Sequence, residues 1–287
     1  MLIKYKTHQV EKLSKMEKLI ITIAPTGNVP TKEMNPYSAI TNDEIVRDLI
    51  KCRELGACVA HLHVRDEQGK PTSKRELFED LINKIDSSGL DIIRQVSTGA
   101  RGGGNTIDWR GQMLDIRGVD MASLSTGSSN FPSSVNANDP ELIEALASKI
   151  IDNGLKPEIE VFDTAMLFQA LFYEKKGILK GPLHFNFVMN VKGSMPASPK
   201  NLMFLVDNLP KDATWNVSGI GSSQVQMATM AIAMGGHVRT GLEDVLKFNE
   251  NIDASNEMLV QRIVNIAKAV GREIAEPYEA RKILNLI

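Results

Sequence analysis

The chain has 287 residues, 43% hydrophobic, 24% charged and 5% aromatic, and its 33 Lys and Arg against 35 Asp and Glu leave a formal net charge of -2. This is ordinary globular composition, long enough for one large α/β domain or two smaller ones. No apolar run reaches the roughly 18 residues of a membrane span, the charged start MLIKYKTHQVEKLSKMEKLI lacks the apolar core of a secretory signal, and no basic block points to nucleic acid. Two cysteines, Cys52 and Cys58, are too few for a disulfide framework. The expected protein is cytoplasmic, with neither membrane nor nucleic acid as partner.

Short β-rich runs alternate with amphipathic stretches along the chain. The apolar runs begin near Leu19, Ala57, Asp91, Val119, Pro157, Pro182, Ala213 and Gly236. Helical patterns cover Asn42–Leu55, with Ile45, Leu49, Ile50 and Leu55 on one face, then Lys74–Ile85, Pro140–Ile151, Thr164–Lys175, Pro199–Leu209, Ser223–Met234 and Ser255–Val270. Thr41-Asn42-Asp43-Glu44 and Asn138-Asp139-Pro140-Glu141 read as helix starts. An alternation repeated eight times predicts an α/β protein, a single (β/α)8 TIM barrel. A doubly wound sheet would place a glycine-rich phosphate loop after its first strand, whereas Ala24-Pro25-Thr26-Gly27-Asn28-Val29-Pro30 lacks that spacing and Arg101-Gly102-Gly103-Gly104 follows the third strand. Residues 1–18 read as an N-terminal extension, and 19–287 as the barrel with a terminal helix after Glu276.

In such a barrel, chemistry gathers at the C-terminal strand ends. His61 and His63 end the second strand and, at i and i+2, face the same way. Two imidazoles on one face suit a metal ion or a hydrogen-bonded polar pair. From the eighth strand, Glu243 is a candidate third ligand, giving a His2Glu set with an open position; alternatively Glu243 and Asp244 open a helix and favour its dipole. Glu158 and Glu160 flank Ile159 on the fifth strand, and Glu160, nearer the strand end, is the better site candidate, with Glu158 expected to pair with a cation lower in the barrel. Ser97 and Thr98 end the third strand, Ser123 and Ser125 the fourth, and His184 and Asn186 alternate in the sixth. His237 reads as a structural histidine. A metal-dependent hydrolase or aldolase, or a non-catalytic metal-binding barrel, also fits these residues.

From about Leu19 onward the chain resembles the β-keto acid cleavage enzymes. The resemblance rests on Thr26-Gly27, His61-Leu62-His63-Val64-Arg65, Gln95-Val96-Ser97-Thr98-Gly99, Pro157-Glu158-Ile159-Glu160-Val161, Pro199-Lys200-Asn201-Leu202, Gly235-Gly236-His237-Val238-Arg239 and Gly241-Leu242-Glu243-Asp244. It implies a zinc-dependent barrel, usually a homotetramer, that converts a β-keto acid and acetyl-CoA into acetoacetate and a new acyl-CoA. It implies zinc on His61, His63 and Glu243 and a catalytic group of Ser97, Glu160, Arg239 and Asp244. Asp244 would act as the base, kept ionised by Arg239. The substrate would be bound by Thr26, Val29, Ser97, Thr98, Ser123 and Ser125. Members acting on 3-keto-5-aminohexanoate carry an acid after the first-strand Thr-Gly; the matching residue here is Val29, so a substrate with an uncharged, apolar far end is expected.

Overall fold

The computed structural model describes residues 16–99, 103–131 and 134–287. Eight parallel strands close a barrel: β1 (Ile21–Ile23), β2 (Val59–Leu62), β3 (Ile93–Val96), β4 (Met121–Ser125), β5 (Lys156–Val161), β6 (His184–Met189), β7 (Thr214–Gly219) and β8 (His237–Thr240). Closure is made by β1, which pairs with both β2 (Thr22 opposite Val59) and β8 (Ile21 opposite Val238).

A helix follows every strand: α1 (Asn42–Leu55), α2 (Arg75–Ser87), α3 (Ile107–Arg110), α4 (Pro140–Asp152), α5 (Thr164–Lys175), α6 (Pro199–Asp207), α7 (Gln224–Met234) and α8 (Asn256–Ala269). A ninth, α9 (Pro277–Ile283), packs at the opposite end from the mouth, where Ala280 and Leu284 cover Ile20, Cys58 and Ile93. The expected terminal helix is therefore present. The single turn α3 carries no periodic pattern and was not anticipated; Thr106 caps it by accepting from the Trp109 amide. Of the expected 1–18 extension, residues 1–15 lie outside the described residues, as do Arg101 and Gly102 of the glycine-rich stretch. None of the described helices is long and apolar enough to cross a membrane.

The local signals act as their chemistry dictates. Thr41 and Glu44 form a reciprocal capping box on α1, and Asp139 caps α4 with Pro140 in the first turn. Alternation on the strands separates two environments. Outward Ile21, Ile23, Leu62, Val96, Leu124, Ile159, Phe185, Phe187 and Val217 join Ile45, Leu49, Leu81, Ile82 and Leu146 of the helices in one buried apolar layer. Inward residues are polar. Glu158, His184 and Asn216 occupy the lower interior, with His184 Nε2 at 3.2 Å and Asn216 Nδ2 at 2.9 Å from Glu158 Oε2. Ser218 donates to Asn186 at 2.8 Å on the next layer. Glu158 thus bonds low in the barrel to an imidazole and an amide, with no Lys or Arg paired to it among the described residues. His237 Nδ1 accepts from the Ile20 amide at 3.1 Å, a structural role.

Candidate active site

His61 and His63 leave β2 on one face, and their Nε2 atoms approach to 3.2 Å. His61 turns its other nitrogen to Gln95 Oε1 at 2.5 Å, which fixes the ring and aims Nε2 at the mouth. Burial, and after it the Arg239 cation, lower the His61 pKa to about 4, so the imidazole is neutral with a free lone pair. Glu243 arrives after β8, its oxygens 3.4 Å from His63 Nε2 and 3.7 Å from His61 Nε2.

Two glycines admit it. A Cβ on Gly27 would lie 2.4 Å from Glu243 Cγ, and one on Gly241 (φ +144) would lie 2.1 Å from the Ala24 carbonyl oxygen. Any side chain at Gly27 would push Glu243 off the histidines. Arg65, buried behind β2, holds the same β1 turn by donating to the Gly27 carbonyl and, at 2.7 Å, to that of Pro30.

The three residues fit a divalent metal ion. Donors on one tetrahedral zinc lie ~3.3 Å apart, close to the observed 3.2, 3.4 and 3.7 Å. Glu243 Oε2 is buried with no hydrogen-bond partner among the described residues, the condition of an acceptor awaiting a cation.

Arg239, 3% exposed, collects the carboxylates around this cluster. Its Nε and Nη2 grip Asp244 at 2.9 and 3.0 Å, Nη2 reaches Glu243 at 2.9 Å, and Nη1 lies 3.5 Å from Glu160. Burial alone would raise Glu243, but Arg239 and the two imidazoles outweigh it and hold the carboxyl well below its usual range. Asp244 departs from expectation. Burial raises its pKa, Glu243 adds to the rise, and Arg239 only opposes it, so the guanidinium does not keep Asp244 more acidic than usual. A carboxylate with a raised pKa is the better proton acceptor. Burial likewise lifts Glu160 to about 7 against the opposing field of Arg239.

These groups border a cavity of about 280 Å³ whose wall includes His63, Ser97, Glu160, Arg239, Glu243 and Asp244. Val29, Phe131, Phe162, Val188 and Ile220 line its apolar side, with Asn28, Asn136, Asn190 and Lys192 at polar points. Of the expected substrate-binding residues, Val29 and Ser97 lie on this wall. Ser97 Oγ accepts from the Gly99 amide at 3.2 Å. Ser125 Oγ donates to Glu160 Oε2 at 3.3 Å, so it bears on the cavity through that carboxylate. Thr98 and Ser123 face each other: Thr98 Oγ1 donates to the Ser123 carbonyl at 2.7 Å, and the Thr98 amide donates to Ser123 Oγ at 3.2 Å. Thr26 Oγ1 is buried without a hydrogen-bond partner among the described residues.

Asn136, Asn190 and Lys192 went unremarked in the sequence. Asn190 and Lys192 directly follow β6, so the strand-end rule applied there would have found them; Asn136 sits deep in the β4–α4 loop and carries no such signal.

A family profile for beta-keto acid cleavage enzymes matches residues 18–286. The chain belongs to the β-keto acid cleavage enzyme family. It is 43% identical over 273 residues to the 3-keto-5-aminohexanoate cleavage enzyme of Fusobacterium nucleatum subsp. nucleatum, covering 94% of this chain and 99% of that one. It is 41% identical over 271 residues to the 3-oxoadipate:acetyl-CoA acetyltransferase of Cupriavidus necator, covering 93% and 94%. Among solved structures, ObcA bound to oxaloacetate superposes with a TM-score of 0.73 at 19% identity, over 87% of this chain and 67% of that one, a likeness of fold. This family member is an enzyme of β-keto acid cleavage, and the cluster at its barrel mouth is where that chemistry can occur.

Proposed function

We propose that this enzyme condenses a β-keto acid with acetyl-CoA to give acetoacetate and a new acyl-CoA, with Zn2+ held by His61, His63 and Glu243. The observation that carries the reading is the cluster at the cavity wall, where His61, His63 and Glu243 lie within 3.7 Å of one another and Glu243 adjoins Arg239 clamped to Asp244. A zinc ion bound there would supply Lewis acidity toward the carboxylate and ketone oxygens of a β-keto acid.

The chain's own residues supply the remainder. Asp244, oriented by two bonds from Arg239, takes a proton from the carbon between the two carbonyls. Ser97 offers its hydroxyl to the substrate carboxylate. Glu160, at about 7, exchanges protons near neutrality and is the second acid–base group. The substrate carbanion attacks the acetyl thioester and releases CoA thiolate. The thiolate then attacks the original acyl carbonyl and cleaves the condensed product: the acyl group leaves on CoA, and the resulting acetoacetate carbanion takes back the proton from Asp244 to restore the methylene. No covalent enzyme intermediate is required, in keeping with Cys52 and Cys58 being buried and their thiols pushed well above the usual range, chiefly by burial.

The substrate lacks a cationic group in this reading. Val29, 49% exposed, presents an apolar surface at the β1 turn, so this part of the wall offers no carboxylate to a cationic tail. An ammonium there would lack a partner. Two further expectations stand with it. Phe168 and Phe172 on α5 and Met203 and Phe204 on α6 are each 43–49% exposed, an apolar seam suited to assembly as a homotetramer. Two free, buried cysteines suit the reducing cytoplasm.

The test is a screen of β-keto acids with acetyl-CoA, following acetoacetate, alongside zinc analysis of wild type, His61→Ala and Glu243→Ala. The expected result is turnover of uncharged-tail acids, poor turnover of 3-keto-5-aminohexanoate, about one zinc per chain in wild type and its loss in both variants. Hydrolysis without CoA, or full zinc in both variants, overturns the reading.

A further inference from the structure

A second cavity, of about 650 Å³, opens beside the first and shares with it Val29, Ile220, Glu243 and Asp244. Its outer walls come from the start of α7, the middle of α8 and the segment after β8, through Val225, Val245, Phe248 and Arg262. The partition between the two spaces is the Asp244 region itself, and the Gly221 amide at the α7 entrance donates to the Asp244 carbonyl at 2.9 Å. Asp244 therefore borders both the outer space and the inner one.

The outer space has the character of a channel for a long, mostly uncharged arm that ends in negative charge. Val225 is 43% exposed although it sits on the groove wall, an apolar surface available to a ligand. Lys247 is paired with Asp253 at 2.6 Å. Arg262 is different: it has no carboxylate partner among the described residues, its bonds running to the Gln224 side-chain oxygen at 3.1 Å and to the Phe248 carbonyl, and its guanidinium lies 3.5 Å over the Phe248 ring. An uncompensated arginine stacked on an aromatic ring suits phosphate and a heteroaromatic base.

We propose that this groove binds the acyl-CoA partner, with the pantetheine arm along Val225, Val245 and Ile220 and the thioester delivered past Val29 to Asp244, while Arg262 meets the phosphates. The proposal rests on the acetyl-CoA reading above and adds the direction of entry: CoA comes from the β7–β8 side, leaving the inner cavity to the keto acid.

The experiment titrates CoA calorimetrically into wild type, Val225→Asp and Arg262→Met, and measures KM for each substrate separately. Val225 is exposed in the first turn of α7, so the aspartate leaves the core intact. CoA affinity should fall at least about tenfold in each variant, in Arg262→Met from one lost charged hydrogen bond and in Val225→Asp from a carboxylate placed on the apolar wall, with the keto acid KM unmoved. Arg262→Met should raise KM for acetyl-CoA but not for S-acetylpantetheine, which lacks the nucleotide. CoA binding that Val225→Asp leaves unchanged overturns the groove assignment alone. A change in the keto acid KM instead of the CoA KM also overturns it, giving the groove to the acid's far end. Wild type that binds no CoA at all overturns the acetyl-CoA reading together with the groove.

Discussion

Glu158 and Glu160 stand two residues apart on β5, on the same face, yet live in opposite environments. Burial would raise both. Deep in the barrel, hydrogen bonding to His184, with the fields of His61 and Arg239, reverses that tendency for Glu158 and brings it to about 2. At the mouth, Glu160 faces Arg239 only across 3.5 Å and shares that cation with Glu243 and Asp244, so burial prevails and the carboxyl rises to about 7. The floor is thus a hydrogen-bonded network centred on Glu158 Oε2, which His184 and Asn216 share, while Glu158 Oε1 and Asn216 Oδ1 are buried without partners among the described residues. The mouth holds more acids than its cation can satisfy, an arrangement that costs stability and keeps proton acceptors available.

The sharpest way to break this contrast is at the floor. Glu158→Leu removes the acceptor that His184 Nε2 and Asn216 Nδ2 share, leaving them only each other at 3.1 Å, and should cost about 3 kcal/mol, the scale of losing hydrogen bonds to a buried charged group. Urea unfolding measures it; a loss under about 1 kcal/mol would mean that the shared carboxylate does not hold the floor together. The complementary change at the mouth, Asp244→Asn, should leave stability nearly intact and slow turnover by roughly 10²-fold, the usual scale for a general base. Steady-state kinetics with zinc content monitored decides it, and near wild-type turnover would move the base to Glu160.

The smallest effect is one of pH. Glu158, held at about 2 against an ordinary 4.5, contributes stability above pH 4.5 that is lost as pH falls toward 2. Glu160, lifted from 4.5 to about 7, contributes stability below pH 4.5 that is lost as pH rises through 7. Between about pH 5 and about pH 8, metal-free wild type should therefore lose on the order of 1–2 kcal/mol more than Glu160→Gln, the full linkage being reduced by solvent screening. Parallel stability curves for the two proteins would show that Glu160 titrates normally.

Local physics carried much of the architecture. The 2-residue strand period and the helical period are encoded in neighbouring side chains, so Asn42–Leu55 and Thr164–Lys175 were legible to the residue, as were the caps at Thr41 and Asp139 and the shared face of His61 and His63. The turn α3, only four residues long, offers no period to read. Ser and Thr at strand ends were ambiguous because a hydroxyl meets substrate or backbone equally well; Thr98 and Ser123 turned to each other, and only Ser97 was left on the cavity wall.

By itself, then, the sequence determined the order of strands and helices, the paired imidazoles and the acids at the strand ends, because each depends on residues within a few positions of one another. The sequence offered Glu243 as a third ligand beside a helix-start reading, and it is the tertiary structure that brings it to the histidine pair from 180 residues beyond His63. That required β1 to pair with β8, Gly27 to leave a gap where a Cβ would lie 2.4 Å from Glu243, and Arg239 to sit between Glu243 and Asp244. It also decided the balance of charge: burial and three carboxylates around one guanidinium set which acids at the mouth are raised and which lowered, and that balance exists only once the barrel has closed.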